Sequence, residues 1–298
     1  MTRKINPGIS YSKNRENRRK AVNRLFQGLV VLLSLVTITP LVLIVFNLIV
    51  KGYGQINFDF FTRVAPDSWE AMSAVSRGER IPGGILNGIT GSFIMVSMAS
   101  VVAVPLGIIV GIYLYENGKK RYANFVRDIS DILQGAPSIV LGIIAYIWIV
   151  RYITHGFSAF AGSVSLAIMM LPLIIRSTEE TFKMIPVSIK EAGLALGVPY
   201  HKIILKVMIP TGFSGLTTGI LLALSRVIGE TAPLMLTALG SSYVTFNPAK
   251  PVDAVPLLIW QFYNDPNMVN MIWSSSLFLV ALVLTLNLIS KRIASKKK

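Results

Sequence analysis

The sequence predicts an all-α membrane protein, a bundle of six transmembrane helices with both termini in the cytoplasm. Three observations predict it: an apolar composition, six long apolar segments, and a lopsided distribution of lysine and arginine. Of 298 residues, 53% are hydrophobic and 14% charged, with a mean hydropathy of +0.61. A soluble domain carries about 25% charged residues, and a chain this apolar needs a bilayer as its solvent.

The apolar segments run over about 25–50, 85–115, 133–153, 157–175, 210–240 and 272–290. Each is near or above the ~20 residues a helix needs to cross the hydrocarbon core, and the longer ones tilt or project beyond it. With the N-terminus inside, segments 1–24, 116–132, 176–209 and 291–298 hold 8, 4, 5 and 5 of the 29 basic residues. The outer segments 51–84, 154–156 and 241–271 hold 4, none and 1. This is the positive-inside pattern at every loop, and it places the chain in the cytoplasmic (inner) membrane as a multi-pass protein.

The net charge of +15 is therefore a topology signal. It is not the footprint of a nucleic-acid binder, which would gather its charge on one face or motif. There is no cysteine, which excludes disulfides, thiolate metal sites and cysteine nucleophiles. The first apolar run, Leu25 to Val50, is too long for a signal-peptide core, and no small-residue cleavage site follows, so it is expected to remain as an anchor. The basic residues 1–24, with Asn14-Arg15-Glu16-Asn17-Arg18-Arg19-Lys20, read as a solvated, largely disordered arm. Residues 291–298 read as a basic cytoplasmic tail, and 25–290 as the membrane domain between them.

Prolines at 40, 105, 137, 172 and 233 fall within the spans, where neighbouring helices can satisfy the freed carbonyls. Glycine pairs at four-residue spacing, Gly84/Gly88, Gly107/Gly111 and Gly215/Gly219, suit close helix packing.

The loop 176–209 reads as two short helices. Pro186 and Ser188 start the first, with Ser188 as N-cap and Ile189, Ala192 and Leu196 on one face. Gly197 suits the left-handed position that ends it. Pro199 opens the second, which runs to Val207 before Pro210 begins the fifth span. Within the fifth span, Arg226 and Glu230 stand four residues apart on one face, with Arg226 near the middle. A charge there costs about 2.5–3.5 kcal/mol on insertion scales and marks a transport path by default. The planar guanidinium of Arg226 matches oxyanion geometry, with Glu230 holding it in place. Arg176, at the inner end of the fourth span, is a second candidate for that path. An ion pair locking helix register, or a simple interfacial anchor, would be the structural alternatives. His201 and His155 have no catalytic or metal partner in sequence and read as surface residues.

Glu191-Ala192-Gly193, three residues, Gly197, nine residues, then Val207-Met208-Ile209-Pro210 resembles the E-A-A-x3-G-x9-I-x-L-P loop of type I (MetI-like) ABC importer permeases. Gly193, Val207 and Ile209 replace a small residue and two aliphatic ones in kind. In that family the loop forms the coupling helices that sit in a cleft of the ATPase, so the resemblance gives Glu191, Ala192, Gly193 and Gly197 that role. Val104-Pro105-Leu106-Gly107-Ile108, Gly135-Ala136-Pro137-Ser138-Ile139-Val140 and, above all, Gly229-Glu230-Thr231-Ala232-Pro233 are similar to the PstA-type subunits of phosphate importers. Such matches cover about residues 85–290.

The resemblance implies an importer that brings inorganic phosphate into the cytoplasm. Its partners would be a PstC-type permease, two ATPase subunits and an extracytoplasmic phosphate-binding protein. The outer segment 241–271, with its prolines and Trp260 and Tyr263, is long enough to receive that protein. No phosphate loop, catalytic triad or metal motif occurs in the sequence. The chain is therefore expected to be no enzyme and to carry no cofactor, ATP and magnesium belonging to the ATPase subunits. Alternatives are a permease for sulfate, molybdate or phosphonate, a secondary phosphate symporter using Glu230 as proton carrier, and a phosphate-sensing scaffold. The Gly229–Pro233 run argues against the first, and the lack of a visible internal repeat against the second.

Overall fold

The computed structural model describes residues 13–118 and 120–295. The chain divides into two units, residues 1–50 and 51–298.

The first unit is the greater part of α1 (Lys13–Gly52), a helix with Pro40 inside it. Apolar residues run around all its sides, Leu25, Leu32, Leu35, Ile44 and Phe46 among them, the composition of a membrane-spanning helix. The expected disordered arm does not extend to residue 24. From Lys13 onward the basic residues continue the same helix, because adding residues to an existing helix avoids the cost of nucleation. The remainder of the expected arm lies outside the described residues, as do the last three residues of the basic tail.

In the second unit, α2 (Phe58–Thr62) and α3 (Ser68–Ser76) are short outer helices. The long helix α4 (Leu86–Glu116) follows. Then come α5 (Arg121–Gly135) and α6 (Ser138–Ala145), the latter continued by a π-helical stretch to Thr154. After α7 (Ala159–Lys183), the loop helices α8 (Val187–Ala195) and α9 (Tyr200–Ile203) lead through a π turn into α10 (Ile209–Ile228). The chain closes with α11 (Ala232–Thr237), α12 (Val255–Tyr263) and α13 (Val269–Ser295).

Among the described residues, five helices are long and apolar enough to cross a bilayer, and a sixth span exists if the pair α5–α6 counts as one, bent by 106°. The bend falls at Ala136-Pro137, where Ala136 is extended (φ −69°, ψ 139°), as steric clash with a following proline requires. Thus the expected third span, 133–153, does not begin as one straight helix. Its first residues finish the amphipathic α5, whose inner face packs Ala123 and Val126 against Leu114 and Ile175. The fifth expected span, 210–240, is also broken, between Ile228 and Ala232.

The core is built around α7. It packs along α4, where Gly107 leaves room for Ile174 and Gly111 for Thr178, and along α10, where Gly215 faces Thr181. A side chain at any of these glycines would occupy its neighbour's space, so small residues let the backbones approach. Met95, Leu166, Met170, Ile174, Val227 and Leu234 fill the centre. Helix α13 fastens to α10 through Ser214 Oγ donating to Ile293 O at 3.0 Å.

Candidate functional site

The loop α8–α9 keeps the expected two-helix form. Gly197 has φ +71°, the left-handed turn that favours glycine, and Val198 N donates back to Gly193 O at 3.2 Å. Gly193 lies against Ile203, which a β-carbon would meet at 3.0 Å. Glu191 and Ala192 are exposed.

Three details differ from the sequence reading. Pro186, not Ser188, occupies the N-cap, with no side-chain cap bond; proline's fixed φ suits a helix start. Ile189 turns inward to the cluster of Phe182, Ile185 and Ile203, whereas Leu196 is 82% exposed. Leu196 leaves the common face because α8 stops at Ala195. Finally, the second loop helix does not end before Pro210. Residues 200–228 form one continuous helix, with a π turn at Ile204–Met208, where Ile209 N donates to Ile204 O, just before Pro210, which has no N–H for the helix ladder.

Arg226 Nε stands 3.8 Å from Glu230 Oε1, with the two side chains 46% and 18% exposed. Arg226 is not in mid-helix. It sits in the last turn of α10, where a cation complements the carbonyl end of the helix, and Glu230 lies beyond the helix end. The break Gly229–Thr231 before α11 puts the pair beside unwound backbone, the kind of place where transporters contact their cargo.

Arg176 is placed elsewhere. Its Nη1 lies 2.9 Å from Asp131 Oδ1 and its Nε 3.2 Å from Glu180 Oε1. It joins a charged recess of about 170 Å³ between α5 and α7. The centre of that cluster was not visible in the sequence. Glu179, 6% exposed, lies 2.6 Å from both Arg127 Nη2 and Lys183 Nζ, and Arg127 also donates to Leu114 O and Gly118 O at 3.1 Å each. Lys183 follows Glu179 at helical spacing, but Arg127 is 52 residues away, so only folding brings it there.

A second unforeseen group is Asp253 on the outer side, 2% exposed. It accepts from Ala254 N at 3.0 Å, and from Asn87 Nδ2 and Gln261 Nε2 at 3.4 Å each. Burial pushes its carboxyl from the usual 3.8 up to about 7. Between those values the folded protein keeps a proton that the unfolded chain has lost. Stability from this group is complete below pH 3.8, falls as pH rises, and is lost above pH 7. The ceiling is about 4 kcal/mol at about 1.4 kcal/mol per pH unit. Asp253→Asn is therefore expected to flatten the loss of thermal stability between about pH 4 and about pH 7, read as melting temperature in detergent. An equal decline in both proteins would show that Asp253 does not carry it.

The family model for the binding-protein-dependent transport system inner membrane component matches residues 103–295. The chain belongs to this family. The permease is 34% identical to the phosphate transport system permease protein PstA of Haemophilus influenzae, over 94% of this chain and 96% of that one. It is 36% identical to the PstA protein of Yersinia pestis, over 95% of each. The PstA protein of Xylella fastidiosa strain 9a5c is 37% identical over 85% of each. Among solved structures, a chain of the MetNI methionine ABC transporter superposes with a TM-score of 0.56 at 21% identity. The alignment covers 77% of the permease and 97% of that chain. The fold is that of the type I importer permeases, and the matched region holds the α8–α9 loop and the Arg226–Glu230 pair.

Proposed function

We propose that this permease conducts inorganic phosphate into the cytoplasm as one membrane subunit of an ATP-driven importer. The observation that carries the reading is near-full-length similarity to relatives named as phosphate transport system permeases. Its partners are a homologous permease subunit, two ATPase subunits that bind ATP and magnesium, and an extracytoplasmic phosphate-binding protein.

The geometry supports a division of labour. On the cytoplasmic side, exposed Val187 and Leu194 of α8 beside Glu191, with Leu196 just past the helix end, offer a short apolar surface of the kind that docks in a partner's groove. Rigid-body motion of that loop reaches α10 without a joint, because α9 and α10 are one rod. At the other end of the rod, the guanidinium of Arg226 is only loosely held by Glu230 at 3.8 Å. It retains N–H groups for an oxyanion, and the carboxylate opposes binding too tight for release. Arg176, engaged by two carboxylates, serves the inner end of the path as an anchor more than as a phosphate ligand.

The test is phosphate uptake in cells lacking their own permease, with assembly of the complex checked for each variant. Arg226→Gln is expected to assemble and to lower uptake at least about tenfold, the loss of one charge-assisted hydrogen bond of about 1.5–3 kcal/mol. Normal uptake by Arg226→Gln would remove it from the path. Sulfate competing as well as phosphate in the wild type would overturn the choice of cargo.

A further inference from the structure

Lys190 precedes Glu191 in α8, yet its ammonium does not face the cytoplasmic surface where an ATPase would sit. Nζ lies 2.6 Å from Glu116 Oε2 at the end of α4. It also lies 5.0 Å from the Tyr200 ring centre and 5.7 Å from that of Tyr115. The two charged side chains are 22% and 19% exposed. One carboxylate and two aromatic faces from α4 and α9 thus enclose a single cation from α8. Cation–π attraction and a charge-assisted contact both strengthen when water is largely excluded.

The chain itself ties α8 only to α7 and to the α9–α10 rod. Glu116 is 74 residues from Lys190 in sequence. Apolar contacts between the loop and Ile112 and Tyr115 exist beneath the pair, but such contacts resist sliding less than a short ion pair fixed in register. Beyond Glu116, α4 is a helix of 31 residues, roughly 45 Å long at 1.5 Å per residue. Its outer end carries Asn87, which donates to Ser241 O at 2.9 Å and accepts from Ala65 N at 3.1 Å. Motion imposed on Glu116 therefore arrives at the outer segments.

We infer that the Lys190–Glu116 pair is the clasp through which the coupling loop drives α4, so that movement of α8 is delivered to two helices instead of one. The inference rests on the reading of α8–α9 as the ATPase-coupling loop. Lys190 is a positioning residue: it touches neither cargo nor nucleotide. Lys190 on Glu116 Oε2 and the Tyr200 hydroxyl, which also hydrogen-bonds Glu116, together offset the cost of keeping this carboxylate inside.

The experiment uses the complete complex reconstituted in liposomes, measuring phosphate delivered per ATP hydrolysed alongside recovery of the ATPase. Lys190→Met is expected to retain the ATPase while the delivered ratio falls at least about fivefold, the lower end of typical coupling effects. Lys190→Arg, which keeps the charge and stacks on aromatic faces, is expected to stay within about twofold of wild type. A wild-type ratio in Lys190→Met, or equal uncoupling by Lys190→Arg, overturns the clasp. Should Lys190→Met fail to accumulate, Glu116→Gln keeps the shape and carries the same expectation, and a wild-type ratio there also overturns it. Leu196→Asp separates the two ideas: if it binds the ATPase and transports normally, the coupling-loop reading itself fails, whatever Lys190 does.

Discussion

Leu196→Asp is expected to leave a permease that inserts in the membrane but no longer retains the ATPase, with uptake at background. Leu196 is 82% exposed at the end of α8, held out by the left-handed turn at Gly197. Burying a leucine against a partner contributes about 1.5–3 kcal/mol. A carboxylate in the same groove forfeits that contribution and adds a desolvation cost of several kcal/mol. The sum corresponds to a loss of affinity of about a thousandfold or more, since each 1.4 kcal/mol is a factor of ten. Leu196→Met keeps the volume and apolar character and is expected to retain the ATPase within a few-fold. Copurification of the ATPase in detergent reads both. Full retention by Leu196→Asp would mean that this tip is not a docking surface. Nothing inside the permease depends on Leu196, so a folding defect is not an expected confounder.

Glu179→Gln is expected to have the largest effect on stability. The substitution keeps the shape but removes the charge that faces Arg127 and Lys183 at 2.6 Å each. An amide nitrogen would then point at one of two cations. Breaking a buried pair by removing one partner costs about 3–5 kcal/mol. Because Arg127 is 26% and Lys183 56% exposed, the lower end, about 3 kcal/mol, applies here. For a chain of this size that is a fall of roughly 6–12 °C in melting temperature. The consequence extends beyond α7, because Arg127 also holds the last carbonyls of α4. Asp131→Asn is the control. Its partner Arg176 is more than half exposed, and an exposed pair contributes about 0–1 kcal/mol. Equal melting of Glu179→Gln and wild type would show that the buried cluster is not the pin.

These two sites differ in how visible they are in the sequence. Leu196 stands inside a spaced motif, and local chemistry alone placed Gly197 in its left-handed turn. Glu179 has a helical neighbour in Lys183, but its decisive partner Arg127 belongs to a segment that reads as an ordinary basic loop. That segment is the amphipathic α5, whose periodicity is broken in the sequence by its apolar continuation toward α6. Arg226 and Glu230 were legible as a pair, whereas the break between them and α11 was not. Gly229, Glu230 and Thr231 lie within an apolar run, and only the packing of α11 on α6 and α7, with Pro233 against Gly142 and Leu234 against Gly162, favours interrupting it.

By itself the sequence determined that the chain lives in a bilayer, which ends face the cytoplasm, that its helices pack through small residues, and where the two-helix loop before the fifth span lies. Those properties follow from composition, charge asymmetry and short-range spacing, all of which act over a few residues or sum over the chain. Tertiary structure decided which buried charged and polar groups meet. It set Arg127 on Glu179, Lys190 on Glu116 and Asn87 on Asp253, ended α10 at Ile228, and joined α9 to α10 as a rod. The partners in those pairs are 52, 74 and 166 residues apart. A buried carboxylate takes whichever cation or donor folding brings within reach, and that choice has no local signature.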